Sequence, residues 1–258
     1  MDYNHSRKAG NRGDVWKHAI LMMIADTIPI RNDEFHWFET HAGAPIHRLQ
    51  TGGEWQRGIG SILTAKNLLY VARVADFVRN GKYPAGWFLA AERLLHRCER
   101  IVVTACDNST AVAEAYADFQ APIGVTCDFL RADGYEEARN ANADFVFLDP
   151  PFSSDSRQDW RDMAHACTRL GPKRIPFVVW YPCSGSSKPQ ELVDGTGCAA
   201  LEVWWDEYAA PQSQSMKGCG MLVSPDLMPI METAAGELGL LAGALRAQRW
   251  GVRYPQRD

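Results

Sequence analysis

The 258-residue chain has no segment that resembles a membrane span or a secretory signal. No apolar stretch approaches the roughly 20 residues that a transmembrane helix needs. Residues 1–8 are polar and contain no apolar core of the kind that secretory signals carry. These absences predict a cytoplasmic protein that has no membrane partner.

Cysteine is present, but its pattern fits neither a disulfide framework nor a zinc site. The seven cysteines are an odd number, and no two of them are spaced as Cys-x-x-Cys. Disulfide frameworks use even numbers of cysteines, and structural zinc sites use closely spaced pairs. We therefore expect reduced, mostly buried thiols in a reducing compartment, and no metal site.

The chain also lacks a strongly basic character, internal repeats and low-complexity linkers. Its net charge is −4, which counts against a protein coated in nucleic acid and still allows a local basic patch. Hydrophobic residues make up 46% and charged residues 22% of the chain, as in a globular protein with a substantial core. No Gly-x-Gly-x-x-Gly follows the first predicted strand, which disfavours a nicotinamide dehydrogenase.

Apolar runs bounded by turn residues indicate a sheet of seven strands. Helical patterns at 110–119 and 159–170 separate the earlier runs, as in right-handed βαβ units with a mostly parallel sheet. Only a polar loop, 208–217, separates the last two runs, which predicts an antiparallel last strand. The predicted strands are 35–38, 101–104, 124–126, 145–148, 177–180, 201–205 and 220–223.

The gap between the first two predicted strands is too long for a simple crossover. Roughly 60 residues separate Glu39 from Ile101, whereas a βαβ unit needs only a few tens. Long structureless loops are uncommon in compact domains. We therefore predict an inserted helical subdomain at 46–82, in which 65–80 has the apolar spacing of a helix.

The fourth predicted strand stops at Asp149-Pro150-Pro151-Phe152, a pattern typical of enzymes that methylate an exocyclic amine of a base. Such an amine is a poor nucleophile because its lone pair is conjugated into the ring. A carboxylate and the carbonyl of Pro150 can accept both amine hydrogens and direct the lone pair at a methyl donor. Consecutive prolines stiffen this acceptor pair, and Phe152 offers a flat face for the base. Alone, the tetrapeptide is also compatible with an ordinary strand end.

The other strand ends supply residues for a methyl donor, because ligands of open α/β sheets bind beyond the carboxyl ends of the strands. The first ends at Glu39 and a turn containing Gly43, where the backbone can approach an amino-acid group. After the second strand, Asp107 can hold both hydroxyls of a ribose. After the third, Asp133 can accept from an adenine amine. Any one of these carboxylates could instead be a helix cap.

Residues 1–30 form a basic, aromatic-bearing arm and a helix, predicted at 13–27. Tyr3, His5, Lys8, Lys17 and His18 lie within the first 18 residues. Such an arm could hold phosphates and cover a base, or it could be a solvated terminus. The arginine-rich tail leaves the same two interpretations open, with Arg246, Arg249, Arg253 and Arg257.

The sequence resembles the RlmJ family, bacterial N6-adenine methyltransferases of 23S ribosomal RNA. The arm pattern and the Thr-His-Ala-Gly-Ala turn are far more specific than the Asp-Pro-Pro pattern alone. The residues that carry the resemblance are Tyr3, His5-Ser6, Ala9-Gly10-Asn11, Asp14-Val15, Lys17-His18, Thr40-His41-Ala42-Gly43-Ala44, Tyr83-Pro84, Ala132-Asp133-Gly134, Asp149-Pro150-Pro151, Trp180-Tyr181-Pro182 and Gly220-Met221.

The resemblance implies a single Rossmann-like class I methyltransferase domain over 1–258, with S-adenosylmethionine as cofactor. It implies that Asp149 orients the adenine amine, with Pro150 and Phe152 completing the catalytic set. Phe152 stands where the family usually has Tyr, and Ala85-Gly86-Trp87 stands where it has Gly-Ser-Pro. The expected cofactor residues are His18, His41, Gly43, Gly86, Asp107, Asp133, Gly134 and Asp149. The expected substrate residues are Tyr3, His5, Lys8, Lys17 and Phe152.

The predicted function is methyl transfer to N6 of an adenine in 23S ribosomal RNA. We expect free or partly assembled RNA as the substrate, because unpaired RNA makes flipping of the base less costly, and we expect no obligate protein partner. Two alternatives are a DNA adenine or cytosine amino-methyltransferase and an inactive methyltransferase fold that binds nucleic acid. The arm and the absence of an obvious target-recognition domain favour RNA over DNA.

Overall fold

The computed structural model describes residues 5–152, 157–183, 186–205 and 217–256. Tyr3, the side chain of His5, and Arg257 lie outside the described residues. Within the described ranges, no helix combines the length and the apolar character needed to cross a membrane.

The described residues form eleven α-helices and ten β-strands. The helices are α1 (His5–Lys8), α2 (Arg12–Thr27), α3 (Ile59–Ile62), α4 (Leu69–Arg79), α5 (Gly86–Leu94), α6 (Thr110–Ala117), α7 (Gly134–Asn140), α8 (Arg157–Leu170), α9 (Lys188–Thr196), α10 (Met228–Thr233) and α11 (Ala235–Ala244). The strands are β1 (Glu34–Glu39), β2 (Ile46–Arg48), β3 (Lys82–Pro84), β4 (Arg100–Cys106), β5 (Val125–Leu130), β6 (Phe145–Leu148), β7 (Phe177–Cys183), β8 (Ala199–Trp205), β9 (Gly218–Val223) and β10 (Ala247–Arg253).

Eight strands form the main sheet, in the order β10-β8-β9-β7-β6-β1-β4-β5. The five neighbouring strands β5, β4, β1, β6 and β7 are parallel to one another, whereas β9 pairs antiparallel with both β7 and β8. The predicted Rossmann-like α/β fold, with a mostly parallel sheet and an antiparallel last strand, is confirmed. The sheet has one strand more than the predicted seven, because β10 forms from the arginine-rich tail and pairs antiparallel with β8.

The central strands are buried on both faces, which explains their continuous apolar sequence. All four residues of β6 are buried. Phe145 and Phe147 face a core cluster that includes α2 and α5, while Val146 and Leu148 face a second cluster with α7, α8 and α9. This alternation places helices on both sides of the sheet and fixes β6 at its centre.

The segment predicted as an insertion, 46–82, begins and ends in a two-stranded antiparallel ribbon of β2 and β3. Between these strands lie a short 3₁₀ turn (Glu54–Gln56), α3 and α4. Helix α4 buries Tyr70, Val71, Val74 and Val78, so the predicted apolar spacing corresponds to a packed helix face. That the segment is a separate subdomain stays a prediction.

Two of the tail arginines have packing roles in the sheet. Arg253 donates from Nε and Nη2 to the buried Glu202, at 2.8 Å each, and the Tyr181 hydroxyl donates to the same carboxylate at 2.9 Å. Burial tends to raise the pKa of Glu202, but Arg253 and Tyr181 hold it below its usual value. Arg249 lies over the Trp204 ring, 4.7 Å from its centroid. The tail is therefore neither a loose charged end nor, at Arg253, a free substrate contact.

Candidate active site

The carboxyl ends of β5, β4, β1 and β6 meet at one edge of the sheet, because these four strands are parallel neighbours. Each strand is followed by one of the predicted site segments. Asp133 follows β5, Asp107 follows β4, the turn at 40–43 follows β1, and Asp149 follows β6. The fold thus brings the predicted acidic strand ends to one edge.

The turn after β1 is held by backbone hydrogen bonds to both neighbouring strands. The N–H of Thr40 donates to Phe147 at 3.0 Å, and that of Ala42 donates to Cys106 at 2.9 Å. Gly43 has a φ of +59°, a left-handed conformation that favours glycine, and its N–H donates to Asp107 Oδ2 at 3.2 Å. The backbone of the turn is therefore tied to both neighbouring strands and to Asp107.

The carboxylates of Asp107 and Asp133 are both oriented by backbone N–H groups. The second oxygen of Asp107, Oδ1, accepts from Ser109 at 2.8 Å. Asp133 is exposed and caps α7, with Oδ1 accepting from the N–H groups of Tyr135 and Glu136 at 2.9 and 3.2 Å. Asp133 is thus a helix cap, which is one of the two interpretations of such carboxylates. The cap uses only Oδ1 and leaves Oδ2 of Asp133 for another contact.

Gly134 allows α7 to begin directly against the turn after β1. A Cβ atom at this position would overlap the carbonyl oxygen of Thr40. The predicted cofactor residue Gly134 thus has a packing requirement that is independent of any ligand.

His41 lies in the same turn and is mostly buried. Its Nδ1 is 2.7 Å from the Thr40 hydroxyl, and its ring packs edge-on against Tyr135, with centroids 4.8 Å apart. Burial lowers the pKa of His41 to about 4, although Asp107 and Asp133 favour the charged form. The imidazole is therefore neutral at physiological pH.

His18 projects from α2 into the same region and is only 6% exposed. Its ring stacks on Tyr83 at a centroid distance of 5.3 Å, and burial lowers its pKa to about 3. Among the described residues, Nδ1 of His18 has no hydrogen-bond partner. Buried polar atoms normally have a hydrogen-bond partner, and a bound ligand could supply the one that His18 Nδ1 lacks.

Gly86 brings α5 against α2 at the position of His18. A Cβ atom at Gly86 would lie 2.7 Å from Leu21 Cδ1 and 2.9 Å from His18 Cδ2. This close helix packing explains why position 86 is a glycine. It also places Gly86 beside His18, another predicted cofactor residue.

Lys17 connects α2 to the predicted catalytic residue. Its Nζ lies 2.5 Å from Asp149 Oδ2 and 2.8 Å from Asp14 Oδ1. Burial alone would lower the pKa of Lys17, but the two carboxylates raise it well above the usual value, so the ammonium stays charged. Asp14 is itself fixed, because it accepts from the N–H of Gly10 at 2.8 Å. The ammonium therefore holds Asp149 in place from the N-terminal helix.

Two curated bacterial proteins are similar to this chain over most of its length. Both are named Ribosomal RNA large subunit methyltransferase J, one from Haemophilus influenzae and one from Escherichia coli K12. They are 27% and 26% identical in alignments of 205 positions that cover 70% of this chain and 70% of each relative. These two matches support an RlmJ-family assignment.

A comparison with solved structures bears on the fold. The crystal structure of protein LPL1258 from Legionella pneumophila (family-model DUF519) superposes with a TM-score of 0.73. It covers 96% of this chain and 99% of its own, at 16% identity, and so shows the fold alone. No family model matches the chain.

Glu39 is a buried acid beside Asp149 that the sequence did not place among the site residues. It is 3% exposed, and Trp37 Nε1 donates to its Oε2 at 3.3 Å. Burial, followed by the charge of Asp149, raises the pKa of Glu39 to about 8, although Lys17 acts in the opposite direction. Glu39 is therefore largely protonated at pH 7. The sequence shows that Glu39 ends the first strand, but its protonation depends on burial by residues that are distant in sequence.

Phe152, at the position where the RlmJ family usually has Tyr, belongs to an aromatic cluster. Its ring packs against Trp160 and Trp180, with centroids 5.4 and 5.9 Å apart. Trp160 in turn contacts Tyr181 at 5.6 Å. Trp160 was not predicted as a site residue, and no local signal identifies it, because it is an ordinary apolar position on the inner face of α8.

The remaining predicted substrate residues are not brought to Asp149 by the described structure. Lys8 ends α1 and lies near Glu54, whose pKa is raised by burial and lowered by Lys8. Tyr3 and the side chain of His5 lie outside the described residues. Their roles as substrate contacts stay predictions.

Proposed function

We propose that this protein transfers a methyl group from S-adenosylmethionine to N6 of an adenine in 23S ribosomal RNA. The observation that carries the proposal is the placement of Asp149-Pro150 directly after the central strand β6, with Lys17 bound to the carboxylate. The names of the two relatives support a ribosomal RNA of the large subunit as the substrate. A cytoplasmic location follows from that substrate.

The edge formed by β5, β4 and β1 fits S-adenosylmethionine. Asp107 and Asp133 offer acceptors for ribose hydroxyls and for an adenine amine. The unpartnered Nδ1 of His18 and the left-handed Gly43 offer a polar contact and close backbone access for the amino-acid group. His41, Gly86, Gly134 and Asp149 complete the proposed cofactor residues. Bound there, the cofactor supplies an electrophilic methyl group on a sulfonium.

Asp149 and the carbonyl of Pro150 orient the amine. Each accepts one hydrogen from the exocyclic nitrogen, which turns the lone pair toward the methyl donor and stabilises the positive charge that develops on nitrogen. The carboxylate does not have to remove a proton before attack, because the amine is neutral. Most of the rate enhancement is therefore alignment by groups that are already in place.

Lys17 positions Asp149 for this role. The ammonium contacts one carboxylate oxygen, so the other oxygen faces a defined direction. Phe152 provides a surface for stacking the base, and Trp160 and Trp180 pack edge-on against that ring.

The decisive experiment is nucleoside mass spectrometry of 23S RNA after incubation with protein and methyl donor, with DNA tested in parallel. We expect N6-methyladenosine in RNA, and a loss of about a thousandfold in turnover for Asp149→Ala with cofactor binding retained in calorimetry. Near-normal turnover of Asp149→Ala would refute the mechanism. Methylation of DNA in preference to RNA would refute the substrate, and absence of cofactor binding would favour an inactive module.

A further inference from the structure

The segment of residues 46–82 is strongly basic in a chain whose net charge is negative. It contains six lysines and arginines against two acidic residues, whereas the whole chain has a net charge of −4. One of the two acids, Asp76, is paired with Arg79 within α4 at 2.5 Å. The remaining cations are therefore poorly balanced by their own segment.

The ribbon of β2 and β3 carries a pair of like charges at its outer end. Arg48 lies directly opposite Lys82 in the antiparallel register, and both residues are exposed. Neither forms a salt bridge to any residue that the structure describes. Like charges at directly opposed positions destabilise a strand pair. An anion bound between the two side chains would remove this repulsion.

The N-terminal arm adds two cations to the same surface. The N–H of Ile59 donates to the carbonyl of Gly10 at 2.9 Å, and Arg12 Nε donates to the carbonyl of Arg57 at 3.3 Å. A Cβ atom at Gly53 would lie 3.2 Å from the carbonyl oxygen of Arg7. Residues 7–12 of the arm thus lie on residues 53–59, with Arg7 next to Gly53 and Arg12 next to Arg57.

The second acidic residue of the segment is Glu54, which lies among the cations of the arm. Burial raises its pKa, while Lys8 and Arg7 lower it, and Asn11 donates to its Oε2 at 3.4 Å. Its charge offsets Lys8 and leaves an excess of cations around it.

This surface is linked to the active site through the arm, which leads into α2, where Lys17 contacts Asp149. In the ribbon, His47 faces Gly43 of the turn after β1, and its strand neighbour Arg48 therefore points to the other, outer face together with Lys82. A phosphate chain bound along the arm would run next to the pocket that receives the base.

We propose that Arg7, Arg12, Arg48, Arg57 and Lys82 form a basic ridge that binds the phosphates of RNA on one side of the target adenine. This inference rests on the proposed function for its ligand, and it adds the surface that holds the polymer. Phosphate contacts fix the register of a nucleic acid and make its affinity depend on salt.

The test is a double substitution, Arg48→Gln with Lys82→Gln, which removes the opposed pair and its repulsion together. The matched control is Arg31→Gln with Arg169→Gln, two exposed arginines near the amino ends of β1 and β7, at the opposite edge of the sheet. Binding of a fluorescent 23S RNA fragment is measured by anisotropy at several salt concentrations, beside calorimetry with S-adenosylmethionine.

We expect RNA binding of the ridge variant to weaken roughly tenfold near 0.1 M salt. The slope of log K against the logarithm of the salt concentration should be smaller by about 1.4, since each of the two lost single-strand phosphate contacts contributes about 0.7. The control variant should match the wild type. Thermal stability of the ridge variant should be equal or higher, which a merely structural role would not produce. In turnover assays the KM for RNA should rise more than kcat falls.

The failure of this inference is separable from that of the proposed function, because anisotropy does not require methyl transfer. Wild-type affinity and salt slope in the ridge variant would overturn the ridge even if RNA is methylated. A tenfold loss specific to the ridge variant supports it even if the methylated base is another one. Equal losses in ridge and control variants would show general charge attraction only and would also overturn the ridge.

Discussion

The two halves of the candidate site are built in different ways. On the proposed donor side, backbone N–H groups fix Asp107 and Asp133, and the turn at 40–43 is held by strand-to-turn hydrogen bonds. On the proposed acceptor side, Asp149 is held by the side chain of Lys17, and Phe152 is held by two tryptophan rings. The donor side is thus held by backbone groups of adjacent strands and helix ends, whereas the acceptor side depends on side chains from separate elements.

This difference predicts that substitutions will separate the two sides kinetically. A change on the acceptor side should lower turnover and leave cofactor affinity intact. A change in the donor frame should lower cofactor affinity first.

The largest expected effect is that of Lys17→Met. Removing the ammonium leaves Asp149 and Asp14 facing each other without a cation, so the catalytic carboxylate loses its fixed direction. We expect turnover to fall about a hundredfold or more, while the Kd for S-adenosylmethionine changes little. Single-turnover methylation and calorimetry measure the two quantities. Lys17→Arg keeps the charge and should recover part of the rate, and equal losses in rate and cofactor affinity would contradict the division into two sides.

Gly134→Ala should act on the donor side. The new methyl group would overlap the carbonyl oxygen of Thr40, so α7 and the turn after β1 must separate. We expect cofactor affinity to fall roughly tenfold and the protein to lose about 1–3 kcal/mol of stability, as for other overpacked positions. Calorimetry and denaturant unfolding give both values.

The control for this change is Gly236→Ala, where a Cβ atom would meet nothing within 4 Å. Its position in α11 should make alanine neutral or slightly stabilising. Unchanged cofactor binding in Gly134→Ala would mean that the turn is not part of the cofactor site.

Phe152→Ala should raise the KM for RNA. Stacking of a base on an aromatic ring contributes about 1–3 kcal/mol, which corresponds to a loss of roughly ten- to a hundredfold. Phe152→Tyr keeps the ring, restores the residue usual in the RlmJ family, and should remain within a few-fold of the wild type. A Phe152→Ala variant with normal KM would place the base elsewhere.

Features of the fold and the site that depend on residues close in sequence were predictable, whereas features that depend on contacts between distant residues were not. The strand positions, the mostly parallel sheet and the acidic strand ends follow from local apolar runs and turn residues, and the structure confirms that fold. The Lys17–Asp149 contact joins residues 132 positions apart, and the sequence had assigned Lys17 only to the substrate. The protonation of Glu39 and the support of Phe152 by Trp160 depend on packing between elements, which no local pattern encodes.

The eighth strand shows the same limit. Arginines at 249 and 253 appeared as a charged tail because strand β10 alternates polar and apolar residues only weakly. Its pairing becomes favourable because Glu202, on the adjacent strand, is buried and needs a cation. A buried carboxylate without a partner would cost several kcal/mol.

The smallest expected effect is that of Glu39→Gln at neutral pH, since it replaces a protonated acid by an amide of the same shape. Turnover at pH 7 should stay within about twofold.

The pH dependence of the stability of the folded protein should differ between variant and wild type, because the folded pKa of Glu39, about 8, lies above the ordinary value of 4.5. A raised pKa stabilises the folded protein most at low pH, and this contribution is lost as pH rises from about 4.5 through 8. Denaturant unfolding across pH 4–9 should therefore show the variant gaining stability relative to the wild type over that window and then staying level. A constant difference would mean that Glu39 ionises normally and that Asp149 has a second negative charge beside it at pH 7.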